Sequence, residues 1–471
     1  MKKVLLTIFC FTFLFTSCEV DEGLNRDKKN PTAVPGSGLF TNATINLFNQ
    51  MNSASVNENV FRLYAQYWAQ TTYPDESQYN QAGRNIGGDI WDAMYRDVLK
   101  DLQGARETLT ANNAADLENK LAIINFMEVY AYSVLVDTFG NVPYSEALDP
   151  TNPSPKYDDA ATIYQDLLSR LDEAVATLEN GGGGFEANAD PVYNGNVEQW
   201  AKAANSLRLR LGMRLAEVNP SLSQTTAEKA IDSDLITDNA DNFGIKYLSG
   251  APNTNPLWVS LVQSGRTDFV AANTFVDVLK ELDDPRLPIY FEPVDGEFVG
   301  GIYGSANSPA SYSQLGDILS DPTLDGNIIT SAEVHFLLNE AAERGYSTPM
   351  TAEEYYNAGV TQSILEWGGT EEQANEYLAQ PDVAYDSANW ESSLTTQKWI
   401  AMFNNGFEGW TLWRIFEAPE LNAPEGMTID DIPTRFLYPT DEQTISPQQY
   451  NDAASAIGGD EKTVKIFWDV D

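Results

Sequence analysis

The sequence predicts a mostly α-helical protein, and two long segments carry that prediction. In 200–216, "WAKAANSLRLRLGMRLA", apolar residues recur every three or four positions, which places them on one face of a helix. In 119–140, "NKLAIINFMEVYAYSVLVDTFG", apolar residues occupy most faces, which indicates a helix buried between neighbours. Gly140 closes that segment and is a typical helix terminator.

Helix starts carry a third signature, in which Thr is followed three residues later by Glu or Gln. In such a capping box the Thr side chain bonds the helix backbone and the Glu or Gln side chain bonds back. Asn196 with Gln199 offers a related start for the helix at 200–216. Short turns separate the later helices, a spacing near that of tetratricopeptide helix pairs, although no clean repeat of about 34 residues is present. The Thr pattern occurs at Thr330 with Glu333, Thr351 with Glu354, and Thr370 with Gln373.

Three arginines lie in the helix predicted at 200–216, namely Arg208, Arg210 and Arg214. A helix places side chains at such spacings within reach of neighbouring helices and of solvent. We therefore expect these arginines to form surface or interhelix ion pairs rather than a binding groove.

The N-terminus has the pattern of an export signal. Lys2 and Lys3 provide a short positive start, and residues 4–15 are mostly apolar. This apolar run is too short for a membrane-spanning helix, which needs about 20 residues. Small residues follow at Thr16 and Ser17, as expected near the cleavage site of a secretory signal.

Cys18 directly follows that small-residue region. A bacterial lipoprotein requires a cysteine at this place for lipid attachment, and residues 15–18 form a loose lipobox in which Phe15 replaces the usual Leu. The alternative is an ordinary secreted protein with an accidental cysteine. We predict a lipoprotein signal peptide over 1–17 and a single domain over 18–471.

The chain is strongly acidic, with a formal net charge of −41. Such a charge argues against nucleic acid as a partner, because nucleic-acid binding requires clustered Lys and Arg. It also argues against charge-driven adhesion to an anionic membrane. The simplest interpretation is solubility in saline surroundings, and the many carboxylates could also supply oxygen ligands for a structural calcium ion.

Catalytic chemistry is poorly supported. The only histidine, His335, lies in a helical pattern, and the only cysteine besides Cys18 is Cys10, inside the predicted signal. Ser-His, Cys-His and multi-histidine zinc chemistry therefore lack partners, and we interpret His335 as an ordinary helix histidine. Paired carboxylates could hydrolyse glycosides, but with 69 acidic residues the sequence singles out no pair. We predict that the protein is not an enzyme and has no cofactor.

The region of about 245–330 differs from the helical frame. It is rich in Pro, Gly and aromatic residues, as in "YLSGAPNTNPLWVSLVQSGRTD" and "DDPRLPIYFEPVDGEFVGGIYG". Long ordered loops on a helical frame are where ligands usually bind. We expect one helical domain that carries an inserted, loop-rich ligand-binding face.

Several segments together resemble the SusD/RagB family of nutrient-binding lipoproteins. They run in family order and cover nearly the whole chain after the signal. No one of them is decisive, but the set is specific to the family. The segments are "YAQYWAQTTYPDESQYN", "VLVDTFGNVPYSEAL", "WAKAANSLRLRLGMR", "NPLWVSLVQSGRTDF", "DDPRLPIYF", "GGIYG", "AEVHFLLNEAAERG", "TTQKWIAMFNNGFEGWTLWR" and "RFLYP".

This resemblance implies a SusD-like helical fold with tetratricopeptide-like helix pairs. It also implies an outer-membrane lipoprotein that faces the cell exterior, is anchored through Cys18, and partners a SusC-type TonB-dependent transporter. Family members capture polysaccharide, oligosaccharide or peptide. The acidic residues after the cysteine, Glu19, Asp21 and Glu22, resemble the signal that directs such lipoproteins to the outer face.

Position in loops selects the candidate ligand-binding residues. Sugar rings stack on aromatic side chains, and polar side chains bond their hydroxyls, so aromatic and charged loop residues are the best candidates. For the group around residue 75 a structural role is the alternative, and Arg266 and Asp268 could pair with each other instead. The tryptophans on helical patterns, Trp91, Trp200 and Trp399, are predicted to lie in the core. The candidates are Trp258, Tyr73, Asp75, Tyr79, Arg266, Asp268 and Tyr303.

We therefore expect a non-enzymatic, glycan-binding surface lipoprotein. Uptake of peptides or amino acids is the alternative within the same family. A helical-repeat scaffold that binds only protein and a carboxylate-based glycosidase are further alternatives. The acidic surface favours neutral glycans such as β-glucans over anionic ones.

Overall fold

Helices make up most of the computed structural model, which describes residues 34–470. This confirms the predicted fold class. The predicted signal peptide and Cys18 lie outside the described residues. The described residues from Gly36 onward form one compact unit.

The α-helices vary from single turns to 23 residues. Two π-helical segments, Ala93–Leu99 and Val259–Gln263, each continue a preceding α-helix. The α-helices are α1 (Gly36–Asn52), α2 (Phe61–Tyr64), α3 (Ile86–Asp92), α4 (Lys100–Ala111), α5 (Leu117–Phe139), α6 (Ala160–Leu178), α7 (Val197–Met213), α8 (Pro220–Ile231), α9 (Pro256–Trp258), α10 (Asn273–Glu281), α11 (Leu287–Tyr290), α12 (Ser331–Glu343), α13 (Ala352–Glu366), α14 (Glu371–Leu378), α15 (Trp390–Ala401), α16 (Gly406–Phe416), α17 (Glu442–Ile445) and α18 (Pro447–Ala456).

The strands of the described residues form three short antiparallel pairs. Trp68–Gln70 pairs with Phe269–Ala271, Val142–Pro143 with Tyr157–Asp158, and Phe243–Ile245 with Gly326–Ile329. Each pair joins distant parts of the chain or closes a loop rather than building a sheet core. The strands are β1 (Trp68–Gln70), β2 (Val142–Pro143), β3 (Tyr157–Asp158), β4 (Phe243–Ile245), β5 (Phe269–Ala271) and β6 (Gly326–Ile329).

The frame is a series of helices packed on their chain neighbours. α5 packs on α6, α6 on α7, and α7 on α8, and α12 packs on α13. α5 is long and apolar enough to cross a membrane by composition, but 83% of its most apolar stretch is buried inside the protein. It is therefore a core helix, as the sequence predicted, and Gly140 follows it with a φ of +84°.

The predicted helix starts are present, but only some are reciprocal capping boxes. Thr351 with Glu354 and Thr370 with Gln373 form complete boxes, which confirms those predictions. Thr330 accepts from the backbone N–H of Glu333, but the Glu333 carboxylate instead binds an arginine of α7. The box predicted there is half wrong, because a buried cation competes successfully for its carboxylate.

The start of α7 shows the same competition. Asn196 accepts from the backbone N–H groups of Glu198 and Gln199, as predicted. The Gln199 side chain, however, donates to the carboxylate of Asp241 at 3.0 Å instead of bonding back. Sequence spacing identified the helix start but not the tertiary partner.

A buried ion network ties α7 to α12, α16 and α5. Arg210 donates to Glu333 at 2.6 and 2.5 Å. Arg214 binds Glu408 at 2.5 Å and also contacts Asp137. All five side chains are at most 5% exposed, so we call this set the ion network.

Arg210 in α7 and Arg214 directly after it therefore form interhelix ion pairs, as predicted. Arg208 completes the pattern at the edge of the frame, where it binds Asp172 of α6 at 3.0 Å. The core prediction for Trp91, Trp200 and Trp399 is confirmed as well, with exposed fractions of 7%, 0% and 0%.

Candidate functional site

One exposed aromatic side chain stands out in the described part of the chain. Tyr73 is 72% exposed, and among residues 34–470 no other Trp, Tyr or Phe is classed as exposed. The chain contains 53 such residues, counting 10 Trp, 22 Tyr and 21 Phe. Among the described residues, this ring is therefore the aromatic side chain most accessible to a ligand.

The buried side chain of Gln70 shapes the loop that carries Tyr73. Its Nε2 donates to the Tyr73 carbonyl at 3.2 Å and to the Glu76 carboxylate at 2.6 Å. Its Oε1 accepts from the Ser77 backbone N–H and hydroxyl. One amide thus fixes three points of the loop.

This fixing has a conformational cost, because Tyr73 has a φ of +52°. Non-glycine residues rarely adopt positive φ, and the surroundings must hold them there. The loop backbone at Tyr73 is therefore held in one conformation, which reduces the ordering cost of binding.

The pairing of β1 with β5 brings a second loop beside the first. The Thr71 backbone N–H donates to the Asp268 carbonyl at 2.9 Å, and the Thr71 hydroxyl donates to the Thr267 carbonyl at 2.6 Å. The residues predicted at 73 and at 266–268 are therefore brought together, although they lie almost 200 positions apart in the chain.

A third loop, 299–310, closes the group. Asn307 donates to the Gln70 carbonyl at 3.0 Å, and the Gly301 backbone N–H donates to the Ala271 carbonyl at 2.7 Å. Ile302 on this loop is 56% exposed. We call the surface formed by loops 71–81, 264–268 and 299–310 the Tyr73 face.

Charged groups line the Tyr73 face. Arg84 binds the buried carboxylate of Glu76 at 3.0 Å and lies 3.9 Å from Asp75, whose side chain is 45% exposed. Arg266 and Asp268 pair with each other at 2.9 Å, so the alternative stated for this pair is observed. The Arg266 side chain is still 67% exposed and can contact a ligand.

Two of the predicted ligand platforms lie inside the protein. Tyr79 and Tyr303 are each 2% exposed, and the Tyr303 hydroxyl donates to the Leu63 carbonyl at 2.8 Å. Burial raises the pKa of Tyr79 to about 12. The predicted contact of these two rings with ligand is therefore corrected: their hydrophobic rings support the loops from below, with centroids 6.3 Å apart.

Trp258 occupies an intermediate position. It ends α9, is half-buried, and leads through the π-helical segment into the loop that carries Arg266. Asn255 caps α9 by accepting from the Leu257 backbone N–H at 2.7 Å. Trp258 stays a predicted ligand contact, eight positions before Arg266 in the chain.

Sequence reasoning missed Gln70, whose side chain organises the loop. Glutamine in a short strand carries no distinctive pattern, and its role depends on a turn that only the folded chain forms. A weak signal was available, because "TTYPDESQYN" combines Pro74 with turn-forming residues directly after an apolar strand.

The histidine and the possible metal site are the remaining features discussed from the sequence. His335 is 7% exposed, its Nε2 lies 3.2 Å from the Thr237 carbonyl, and burial lowers its pKa. In residues 34–470, no group of three or more His, Cys, Asp or Glu side chains could hold a metal ion. Calcium binding stays a prediction.

Comparison with known proteins agrees with this architecture. A chitin-binding protein of known structure is 26% identical with a TM-score of 0.81, over 93% of this chain and 100% of that one. A chitin-binding SusD homologue from Flavobacterium johnsoniae is 25% identical with a TM-score of 0.80, over 92% and 99%. A SusD homologue from Bacteroides uniformis is 26% identical with a TM-score of 0.76, over 92% and 99%.

A search of curated proteins found no match. The sequence profile of the SusD-like family, described as starch-binding and associating with the outer membrane, matches residues 28–439. That match covers most of the chain and agrees with the family motifs, the helix pairs and the structural neighbours. The chain therefore belongs to the SusD-like branch of the SusD/RagB family.

Proposed function

We propose that this chain is a non-enzymatic surface lipoprotein that captures polysaccharide or oligosaccharide and delivers it to a SusC-type TonB-dependent transporter. The observation that carries the proposal is Tyr73, an exposed ring held on a fixed loop. Family membership alone names no ligand-binding residue, and Tyr73 supplies a specific one.

The chemistry of the Tyr73 face suits a carbohydrate. The apolar C–H face of a sugar ring stacks on an aromatic ring, and charged side chains bond its hydroxyls. Tyr73 supplies the ring, while Asp75 and Arg266 supply exposed polar groups. A loop whose backbone is already held in place loses little entropy on binding.

A neutral glycan is the ligand class that we favour. A chain with a formal net charge of −41 repels anionic polysaccharides. Two structural neighbours at 25–26% identity are described as chitin-binding, which supports a neutral β-linked polysaccharide as ligand here too.

The anchoring follows from the N-terminal sequence and the family. The family description includes association with the outer membrane. Cys18 provides the lipid attachment, and Glu19, Asp21 and Glu22 direct the protein to the outer face. The proposal also includes delivery of the bound glycan to a transporter barrel.

Absence of catalysis is part of the proposal. The family is described by binding, and His335, the only histidine, is buried against the Thr237 carbonyl. A general base must reach the proton that it removes, and a buried imidazole against a backbone carbonyl is poorly placed to do so.

Affinity gel electrophoresis of the lipid-free protein tests the proposal. The panel contains chitin oligosaccharides, laminarin, starch, alginate and a mixed peptide digest, and the products are checked for cleavage. We expect retention by a neutral glycan without cleavage. Binding of peptides alone would replace the glycan by a peptide, and release of shorter sugars would contradict the non-enzymatic role.

A pull-down of the co-purified outer-membrane fraction tests delivery. The tagged lipoprotein should retain a TonB-dependent barrel, and substitution of Cys18 by alanine should release the protein from the membrane fraction. Failure to retain any barrel would contradict the transporter partnership without affecting glycan binding.

A further inference from the structure

Two arginines at the Tyr73 face make no hydrogen bond through their terminal nitrogens. Arg84 contacts Glu76 through Nε at 3.0 Å, and Arg266 contacts Asp268 through Nε at 2.9 Å. Within residues 34–470, neither guanidinium donates a hydrogen bond through Nη1 or Nη2. The Asp75 carboxylate lies 3.9 Å from Nη2 of Arg84, which is too far for a hydrogen bond.

Every other arginine of the described chain uses a terminal nitrogen within the protein. Arg210 donates through Nη2 to the Ile328 carbonyl at 2.7 Å, and the remaining arginines likewise find carboxylate, carbonyl or hydroxyl acceptors. Exposure does not explain the difference, because Arg96 is as exposed as Arg266 and still donates through Nη1 to Asp92 at 3.1 Å. The two arginines with unused terminal donors therefore both lie at the Tyr73 face.

A buried carboxylate holds Arg84 in place. The Glu76 side chain is 1% exposed and also accepts from Gln70 at 2.6 Å, so it is fixed on two sides. The chain before Arg84 is anchored too, because the Gln81 side chain accepts from the Leu437 backbone N–H at 2.7 Å. The Arg84 side chain nevertheless stays 38% exposed and accessible to a ligand.

We infer that Arg84 is a ligand-binding residue, and that Arg84 and Arg266 both donate through their terminal nitrogens to neutral oxygens of a glycan on the Tyr73 face. The inference rests on the proposed function in taking a glycan as the ligand. It adds a contact residue that the sequence pattern did not single out. It also gives the pairs with Glu76 and Asp268 a role, which is to hold each guanidinium through Nε.

Neutral oxygens suit these arginines better than a ligand carboxylate does. Each guanidinium already has a carboxylate at its Nε, so its charge is compensated within the protein. A ligand carboxylate at Arg84 would also approach Asp75 and Glu76, and like charges brought together oppose binding. A sugar hydroxyl accepts from a guanidinium without adding charge.

A peptide carbonyl is also a neutral acceptor, and the aromatic ring distinguishes the two ligands. Tyr73 precedes Asp75 by two positions and is exposed, so a sugar that bonds Arg84 has a ring nearby on which its C–H face can stack. A neutral peptide with blocked ends is therefore an arm of the test.

Substitution of Arg84 by lysine tests the inference. Lysine keeps a positive charge beside Glu76, but it has one nitrogen in place of three and cannot place separate donors on Glu76 and on the ligand. Calorimetry uses the neutral hexasaccharides of the cellulose, laminarin, chitin and starch series, with an oligogalacturonate and a blocked Gly-Ser peptide as the other arms. The control is Arg96→Lys, at an exposed position on the π-helical segment 93–99.

We expect the neutral hexasaccharide that binds most tightly to lose about tenfold in affinity in Arg84→Lys, as for lost charge-assisted hydrogen bonds. Arg266→Lys should cause a similar loss, and Arg96→Lys should cause none. The melting temperature of Arg84→Lys should stay near that of the unsubstituted protein, because the ion pair with Glu76 persists.

A double variant keeps the test decisive if Arg84→Lys does not fold. Glu76→Gln combined with Arg84→Met leaves no buried carboxylate without its cation, so the loop keeps its place while the donors are lost. If Arg84 served the loop alone, this double variant would bind with full affinity. We expect it to bind at least about tenfold more weakly than the unsubstituted protein.

The outcomes separate this inference from the proposed function. Full affinity in folded Arg84→Lys or in the double variant would overturn the inference and leave glycan binding intact. Tighter binding of the oligogalacturonate or the blocked peptide, with the same dependence on Arg84, would overturn the neutral-sugar assignment. Absence of binding by all four neutral hexasaccharides would overturn the proposed function together with the inference.

Discussion

The ion network and the Tyr73 face contain similar charged residues, but the residues are buried in the first and mostly exposed in the second. In the ion network, Arg210 and Arg214 both pair with Glu408 of α16, and all three side chains are at most 5% exposed. On the Tyr73 face, Arg266 pairs with its own near neighbour Asp268 and stays 67% exposed. The charged groups of the ion network pair with one another, whereas the exposed Arg266 side chain can still contact a ligand.

The difference teaches where stability and binding separate in this protein. A buried charge that loses its partner destabilises the fold strongly, whereas an exposed pair contributes little to stability. Substitutions in the ion network should therefore change the free energy of unfolding, and substitutions on the Tyr73 face should change affinity. The predictions below test this separation.

The largest expected effect belongs to Glu408→Ala. It leaves Arg210 and Arg214 buried without that carboxylate, and we expect a loss of about 3–5 kcal/mol in the free energy of unfolding. Urea denaturation followed by circular dichroism measures it. The control is Asp92→Ala, which breaks an exposed pair with Arg96 and should cost less than about 1 kcal/mol.

Equal effects of the two substitutions would contradict the separation. The ligand affinity of the folded Glu408→Ala protein should match that of the unsubstituted protein, because within residues 34–470 the ion network has no hydrogen bond or ion pair to the Tyr73 face.

The lowered pKa of the Glu408 carboxylate predicts that the stability of the protein decreases in acid. Burial opposes ionisation of Glu408, but Arg210 and Arg214 overcome it and hold its pKa well below the ordinary 4.5. Its contribution to stability is therefore present above pH 4.5 and is lost as the pH falls through the lowered pKa of the folded state. Urea midpoints at pH 6 and pH 3 should differ less in Glu408→Gln than in the unsubstituted protein. An unchanged difference would assign the acid sensitivity to other groups.

Gln70→Leu should affect both quantities. Glu76 and Ser77 lose a buried partner, which costs about 1–3 kcal/mol, and Tyr73 is no longer held in place. We expect about a tenfold loss of glycan affinity, because the loop must then be ordered on binding. The exposed substitution Gln448→Leu is the control. Full affinity in Gln70→Leu would show that the loop does not need this fixing.

Trp258→Ala has the smallest expected effect. The ring is half-buried and offers a ligand only part of its surface, so we expect a several-fold loss of affinity, equivalent to about 1 kcal/mol. Calorimetry with a bound oligosaccharide measures it. An unchanged affinity would place Trp258 outside the ligand contact.

Local patterns predicted the helical frame well because local forces build it. The capping boxes at Thr351 and Thr370 and the stop at Gly140 depend on residues within one turn. The box at Thr330 fails in part because Glu333 has a stronger partner 123 positions away. Sequence spacing carries no information on such a partner.

The site was predictable only in outline. The loops around Tyr73 and Arg266 were identified, since loops on a helical frame commonly carry ligand contacts. Exposure was not predictable, because Tyr73 and Tyr79 stand six positions apart in one loop yet are 72% and 2% exposed. Tyr303, between glycines, was also expected outside and lies inside. Only tertiary packing decides which ring faces the solvent.

The most direct test of the account is Tyr73→Ala, measured by calorimetry with the glycan that the affinity gels identify. We predict an affinity loss of about tenfold to a hundredfold, because the substitution removes the one exposed aromatic of the described chain. The melting temperature of the same sample should be unchanged, and Tyr73→Phe should keep most of the affinity. Unchanged affinity in folded Tyr73→Ala would contradict the claim that the Tyr73 face captures the ligand.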